Sequence, residues 1–200
     1  VFFSYDWNRE AQQKQLMMYE AVEKGLWGQK IRKLKHTMFG DTAVCRRSKN
    51  GRDYLQKMAD DIDSIIFKYI NLGFDLNIHL IGHSQGSQNL LDYCFDSSYK
   101  ERITGLITLG SIISAGSWIF NDWGHVPEYI QYWHNFYNKF DRISSKLQKC
   151  HLSKSIANFV VDHEVPAGFN PLNWTIIGSH SMYWKSDYTH KEIAKILNSY

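Results

Sequence analysis

Across residues 52–72 the apolar side chains fall at Leu55, Met58, Ala59, Ile62, Ile65, Ile66, Tyr69 and Ile70. That three-and-four spacing is the signature of a helix with one buried face. Gly73 follows, where a helix end favours a residue that accepts left-handed backbone. The rhythm then changes. Residues 76–82 form a short run rich in Leu and Ile between turn residues, which predicts a strand, and 85–95 reads as a helix, so strand, tight turn and helix lie end to end. Further strands are predicted at 103–109, 133–137 and 156–161, and a closing helix at 188–197. Upstream, residues 1–5 read as a strand, and Asn8 caps a helix through Ala11, Leu16, Tyr19, Ala21 and Val22. Its basic end gives way to a loop at 37–51. Strands alternating with helices predict an α/β fold with a mostly parallel sheet in a single domain over 1–200. Asp60, Asp61 and Asp63 read as a solvated helix face.

With 200 residues, 44% hydrophobic and 22% charged, the chain falls outside the disordered and coiled-coil classes. The net charge is +3 and no long basic run occurs, so nucleic acid is not an expected partner. Cys45, Cys94 and Cys150 are odd in number and lack metal-ligand spacing, so neither a disulfide framework nor a metal site is expected, and a reducing, cytoplasmic setting fits. The longest uncharged stretch, 103–121, is interrupted by Gly105, Gly110 and Gly116, which argues against a membrane-spanning helix. The opening at Val1, with a strand already under way, leads to the expectation that the chain lacks its first strands.

Gly82-His83-Ser84-Gln85-Gly86 carries the sharpest chemistry. It matches the G-x-S-x-G nucleophile elbow and sits between a predicted strand and a predicted helix, as that motif requires. A strained turn would project the Ser84 hydroxyl above the sheet, with Gly82 and Gly86 expected to leave room for close-passing backbone. The helix beginning at Gln85 would aim its main-chain N–H at the same place as an oxyanion donor. Serine needs a base oriented by a carboxylate, and on this architecture both follow it in the chain. By order alone His125, His134, His151, His163, His180 and His190 all qualify.

The chain resembles serine esterases and lipase-like proteins of the α/β-hydrolase superfamily. The likeness rests on the GHSQG elbow, on Thr108-Leu109-Gly110-Ser111, on Trp133-His134-Asn135-Phe136-Tyr137 followed by Asp141, and on Ser179-His180-Ser181-Met182-Tyr183-Trp184. It extends over the chain from about Gly40-Asp41 onward. The resemblance implies an α/β-hydrolase fold, Asp141 as the carboxylate and His180 as the base, with no metal or organic cofactor. Position agrees: Asp141 follows an aromatic strand, and His180 falls in an expected late loop before the last helix. Asp162 with His163, and Asp187 with His190, read instead as loop or capping polarity. Arg142 and Ile112 stand where the family usually has proline.

A second oxyanion donor normally comes from a glycine-containing loop after an early strand. No such segment precedes Ser84, and the resemblance implies that it belongs to sequence before Val1. The aromatic segment 112–132 is a candidate lid or pocket wall, with Trp118, Phe120, Trp123 and Trp133 as candidate substrate contacts; packing on the sheet is the competing role. The expected activity is hydrolysis of carboxylic esters through an acyl-enzyme on Ser84. The alternatives are a lipase or phospholipase with peripheral membrane contact, or a catalytically inactive interaction module on the same fold.

Overall fold

The computed structural model describes residues 49–113, 126–141, 143–148, 158–166 and 176–200. The expected first strand and helix, Trp118, Phe120, Trp123, Cys45 and Cys150 lie outside them. Helix α1 spans Lys49–Asn71, so it begins inside the expected loop and ends one residue short of expectation. Its end is a Schellman motif: Gly73 has φ +85°, its N–H donates to the Ile70 carbonyl at 2.9 Å, and the Phe74 N–H donates to Tyr69 at 3.2 Å. The Tyr69 and Phe74 rings meet edge-on across the cap.

Strand β1 (Ile78–His83), helix α2 (Gln85–Asp96) and strand β2 (Ile103–Leu109) follow, joined to β3 (Tyr132–Tyr137) and β4 (Val160–Glu164) in one sheet. All three pairings are parallel and the order is β1-β2-β3-β4. The fold is therefore α/β. Every residue of β2 is buried, which explains why an uncharged run rich in Ile and Leu, and not a regular apolar and polar alternation, marked it in the sequence. The two faces of the sheet support separate cores. Leu80, Leu106, Trp133 and Val160 pack with Met58, Ile62 and Ile66 of α1, whereas Ile107, Leu109 and Phe136 pack with Met182, Tyr183 and Ile196 on the other side. Among the described residues, no helix is long and apolar enough to cross a membrane.

Strand β4 is displaced from the predicted 156–161 to Val160–Glu164, because Asp162, His163 and Glu164 each find a partner that makes a polar strand tolerable. Asp162 accepts from Asn135 Nδ2 at 2.7 Å and from the amides of Leu147 and Gln148, and Glu164 accepts from the Tyr137 hydroxyl at 3.0 Å. Asn135 extends inward to Thr108, and Thr108 to the Trp133 indole, so one buried polar chain ties β2, β3 and β4 together. The acidic stretch of α1 also differs from expectation at one residue. Asp63 is no solvated charge, since it accepts from the hydroxyls of Tyr93 and Ser97 and the amide of Ser98 and so fastens α1 to the end of α2.

His134 and His163 face each other from β3 and β4 with ring nitrogens 2.7 Å apart, and His163 stacks on Phe136. Burial, then the neighbouring His163, lowers the His134 pKa from 6.5 to about 4. A group that protonates near 6.5 when unfolded but only near 4 when folded makes the unfolded chain the better proton acceptor between those values. Stability is therefore expected to fall as pH drops from 6.5 towards 4, by on the order of 1–2 kcal/mol for this half-buried site. Urea titrations of wild type and His134→Phe at pH 7 and pH 5 check this, with the variant losing less stability on acidification.

Candidate active site

The site gathers where the carboxyl ends of β1, β2 and β3 open into loops. Ser84 occupies the turn between β1 and α2 with φ +56° and ψ −125°, the one non-glycine residue of positive φ among the described residues. A serine held there costs on the order of 1–3 kcal/mol and persists only where the surroundings fix it. Two contacts do so. The Ser84 amide donates to the Leu109 carbonyl at the end of β2, and the Ser87 hydroxyl donates to the Gly82 carbonyl at 2.9 Å. A Cβ on Gly82 would stand 2.8 Å from the Gly86 carbonyl oxygen, so that glycine is required by close backbone approach. Gly86 differs from expectation: a Cβ there would meet no described atom within 4 Å.

His180 reaches Ser84 from ninety-six residues away. It lies not in a loop but in the short helix α3 (Ile176–Ser181), which a 3-10 turn, Met182–Lys185, connects to the closing helix α4 (Asp187–Leu197). Helix α4 starts where Ser186 caps it by accepting from the Thr189 amide. His180 Nε2 is 2.8 Å from Ser84 Oγ, and His180 Nδ1 is 2.9 Å from Asp141 Oδ2. An ionised carboxylate only accepts, so Nδ1 carries the proton and Nε2 is left to accept from the serine hydroxyl.

Asp141 is buried at the far end of this chain of contacts. Burial pushes its pKa up, but hydrogen bonding and charge from His180, with the Ile143 amide and the Tyr183 hydroxyl, more than offset this and hold it below the usual carboxylate range. The loop carrying it is built by Asn138, whose side chain donates to the Val165 carbonyl and accepts from the Phe140 amide, while its own carbonyl takes the Asp141 amide. Ser179 fastens α3 to the same loop by donating to the Phe140 carbonyl at 3.1 Å. Asn138, Ser144 and Tyr183 were not singled out as site residues from the sequence; the spacing after β3 and the tyrosine three residues beyond His180 were the available signals.

His83, the residue before the serine, donates from Nε2 to the His180 carbonyl at 2.8 Å and packs beside the His180 ring. Burial lowers its pKa, outweighing the contact with the His180 carbonyl, which by itself favours the protonated ring. Trp184 is 44% exposed and stands edge-on to His83. An open cavity of about 950 Å³ runs beside β1, lined by Gly82, His83, Gly86, Leu90, Ile193 and Trp184 among others; Ser84 is not in its lining. Trp133, a candidate pocket residue from the sequence, is fully buried in the core, with its indole donating to Thr108.

The rival pairs stand elsewhere. Asp162 and His163 belong to the β3–β4 contacts, Asp187 lies in the first turn of α4, and the His190 ring donates to the Trp184 carbonyl. No group of three or more residues among those described is suited to hold a metal ion. Gln85 heads α2, and its side chain donates to Asn89. In comparison with known proteins, the chain matches no family model and no curated sequence.

Proposed function

We propose that the protein is a serine hydrolase of the α/β-hydrolase type that cleaves carboxylic esters. The observation that carries this reading is the unbroken run of contacts from Ser84 Oγ through His180 to Asp141, at 2.8 and 2.9 Å, on a serine held at positive φ between a strand and a helix. In this reading Ser84 Oγ attacks the ester carbonyl while His180 Nε2 takes its proton, and Asp141 steadies the imidazolium that forms. The main-chain amide of Gln85, at the head of α2, faces the developing oxyanion. His180 returns the proton to the leaving alcohol, and the acyl group on Ser84 is then released by a water that His180 deprotonates. Water and ester are the only reactants required.

The exposed Trp184, beside the His83 ring that in turn packs on His180, favours substrates with a hydrophobic acyl or alcohol part, lipid esters included. Labelling with a fluorophosphonate probe, located by peptide mapping, tests the reading. One adduct on Ser84 is expected, absent in Ser84→Ala and greatly slowed in His180→Ala. A wild-type protein left unlabelled, or labelled at another residue, would overturn it in favour of an interaction module. Rates on p-nitrophenyl esters of increasing chain length then separate soluble-ester from lipid-ester preference.

A further inference from the structure

Asp141 Oδ2 carries more donors than the orientation of one imidazole requires. Besides His180 Nδ1 it accepts from Ser144 Oγ at 2.9 Å and from the Tyr183 hydroxyl at 2.8 Å, while Oδ1 takes the amides of Ile143 at 3.0 Å and Ser144 at 3.4 Å. The two hydroxyls are also 2.9 Å from each other, and the Asn138 amide donates to the tyrosine oxygen at 3.0 Å. These groups come from separate parts of the chain: Ser144 from the loop after β3, Tyr183 from the 3-10 turn after His180.

Room has been made for the tyrosine. Gly110, at the end of β2, has φ +55°, and a Cβ there would fall 2.5 Å from the Tyr183 ring. The glycine of the Thr108–Ser111 stretch thus lets a fully buried ring bring its hydroxyl to Asp141.

We propose that Tyr183 and Ser144 are a redundant pair of positioning residues, either of which can hold Asp141 Oδ2 towards His180. The argument is one of proton count. Three oxygens, Asp141 Oδ2, Ser144 Oγ and Tyr183 Oη, make three mutual contacts, and the two hydroxyls bring only two protons. However those protons are arranged, at least one lies on the carboxylate, because the third contact can take no more than one. Charge-assisted bonds are the stronger, so both protons favour the carboxylate when it is ionised. Removing one hydroxyl leaves the other donating; removing both leaves Oδ2 to His180 alone. The other titratable groups acting on Asp141 among the described residues are His180 and, behind it, His83.

The inference rests on the hydrolase reading for its catalytic meaning, but its test does not depend on activity. Tyr183→Phe, Ser144→Ala and the double variant are compared with wild type, with thermal unfolding confirming that each is folded. The first readout is the carboxyl ¹³C titration of Asp141; the second is the Nδ1 proton resonance of His180. Each single variant is expected to move both slightly, and the double variant by clearly more than the two singles together. In ester hydrolysis the same pattern appears as a loss in kcat with KM little changed, a few-fold in each single and about a hundredfold in the double. Strictly additive effects, or a double variant whose Asp141 titration matches wild type, would overturn the redundancy. If the double variant fails to fold, Tyr183→Phe alone decides: a large change in Asp141 titration, with Ser144 still in place, refutes it and a small one supports it. Should fluorophosphonate fail to label wild-type Ser84, the hydrolase reading falls while the two spectroscopic readouts still decide the role of the pair.

Discussion

Replacing Ser84 with alanine is expected to reduce ester hydrolysis about a millionfold, the loss typical of removing a nucleophile from a site of this kind. Asp141→Asn should be milder, on the order of ten-thousandfold, because it leaves the nucleophile in place and disturbs the proton on His180 Nδ1. Steady-state kinetics on a p-nitrophenyl ester, with protein free of contaminating esterase, measure both. Ser84→Gly gives a second, opposite effect. The serine sits at φ +56°, a conformation glycine adopts without penalty, so that variant should be inert yet about 1 kcal/mol more stable in urea unfolding. A gain in stability coupled to loss of activity would show that the strained turn is maintained for its chemistry; an unchanged or lowered midpoint would contradict that.

Gly82→Ala is expected to have the largest effect on folding. The added Cβ would lie 2.8 Å from the Gly86 carbonyl oxygen and 2.9 Å from its carbon, and main chain cannot swing aside as a flexible side chain can. A cost of about 3 kcal/mol or more follows, enough to unfold a domain of ordinary stability. Gly86→Ala is expected to remain folded, with its methyl directed into the cavity beside β1. Circular dichroism melts of the two variants check the contrast. Equal destabilisation would mean that the two glycines of the elbow do the same work, contrary to the geometry.

These contrasts mark what could be read from residue order. Helix α1, helix α2 and strand β2 were legible because their side chains follow one period or one uncharged run rich in Ile and Leu, and each is dictated by burial. Strand β4 was not, because Asp162, His163 and Glu164 become acceptable in a sheet only through Asn135, His134 and Tyr137 on the neighbouring strand. A local window contains none of those partners. The same holds within the site. Ser84 was visible from five consecutive residues, whereas the assignment of Asp141 and His180 depended on likeness to a family, since six histidines satisfied the order. Tyr183 and Ser144 touch Asp141 across chain separations of 42 and 3 residues, and no periodicity signals such a meeting. Gly110 shows in the sequence as a break in an uncharged stretch and as part of Thr108–Ser111; the room it makes is visible only with the Tyr183 ring against it.

The serine and histidine contact spans 96 residues and the histidine and aspartate contact 39; Ser84 and Asp141 follow strands of a sheet laid down in chain order, and His180 comes from helix α3, later in the chain than all four strands. Closing loops of that length is paid late in folding, after the parallel strands have found one another. Reactivity of Ser84 should therefore be the last native property to arrive. In a refolding experiment, covalent capture of the serine would serve as a clock for completion, lagging behind the recovery of helix and sheet. If the proposed roles hold, the same separation would act during synthesis too: a ribosome-bound chain that has not yet extruded residue 180 would hold Ser84 without His180 to activate it.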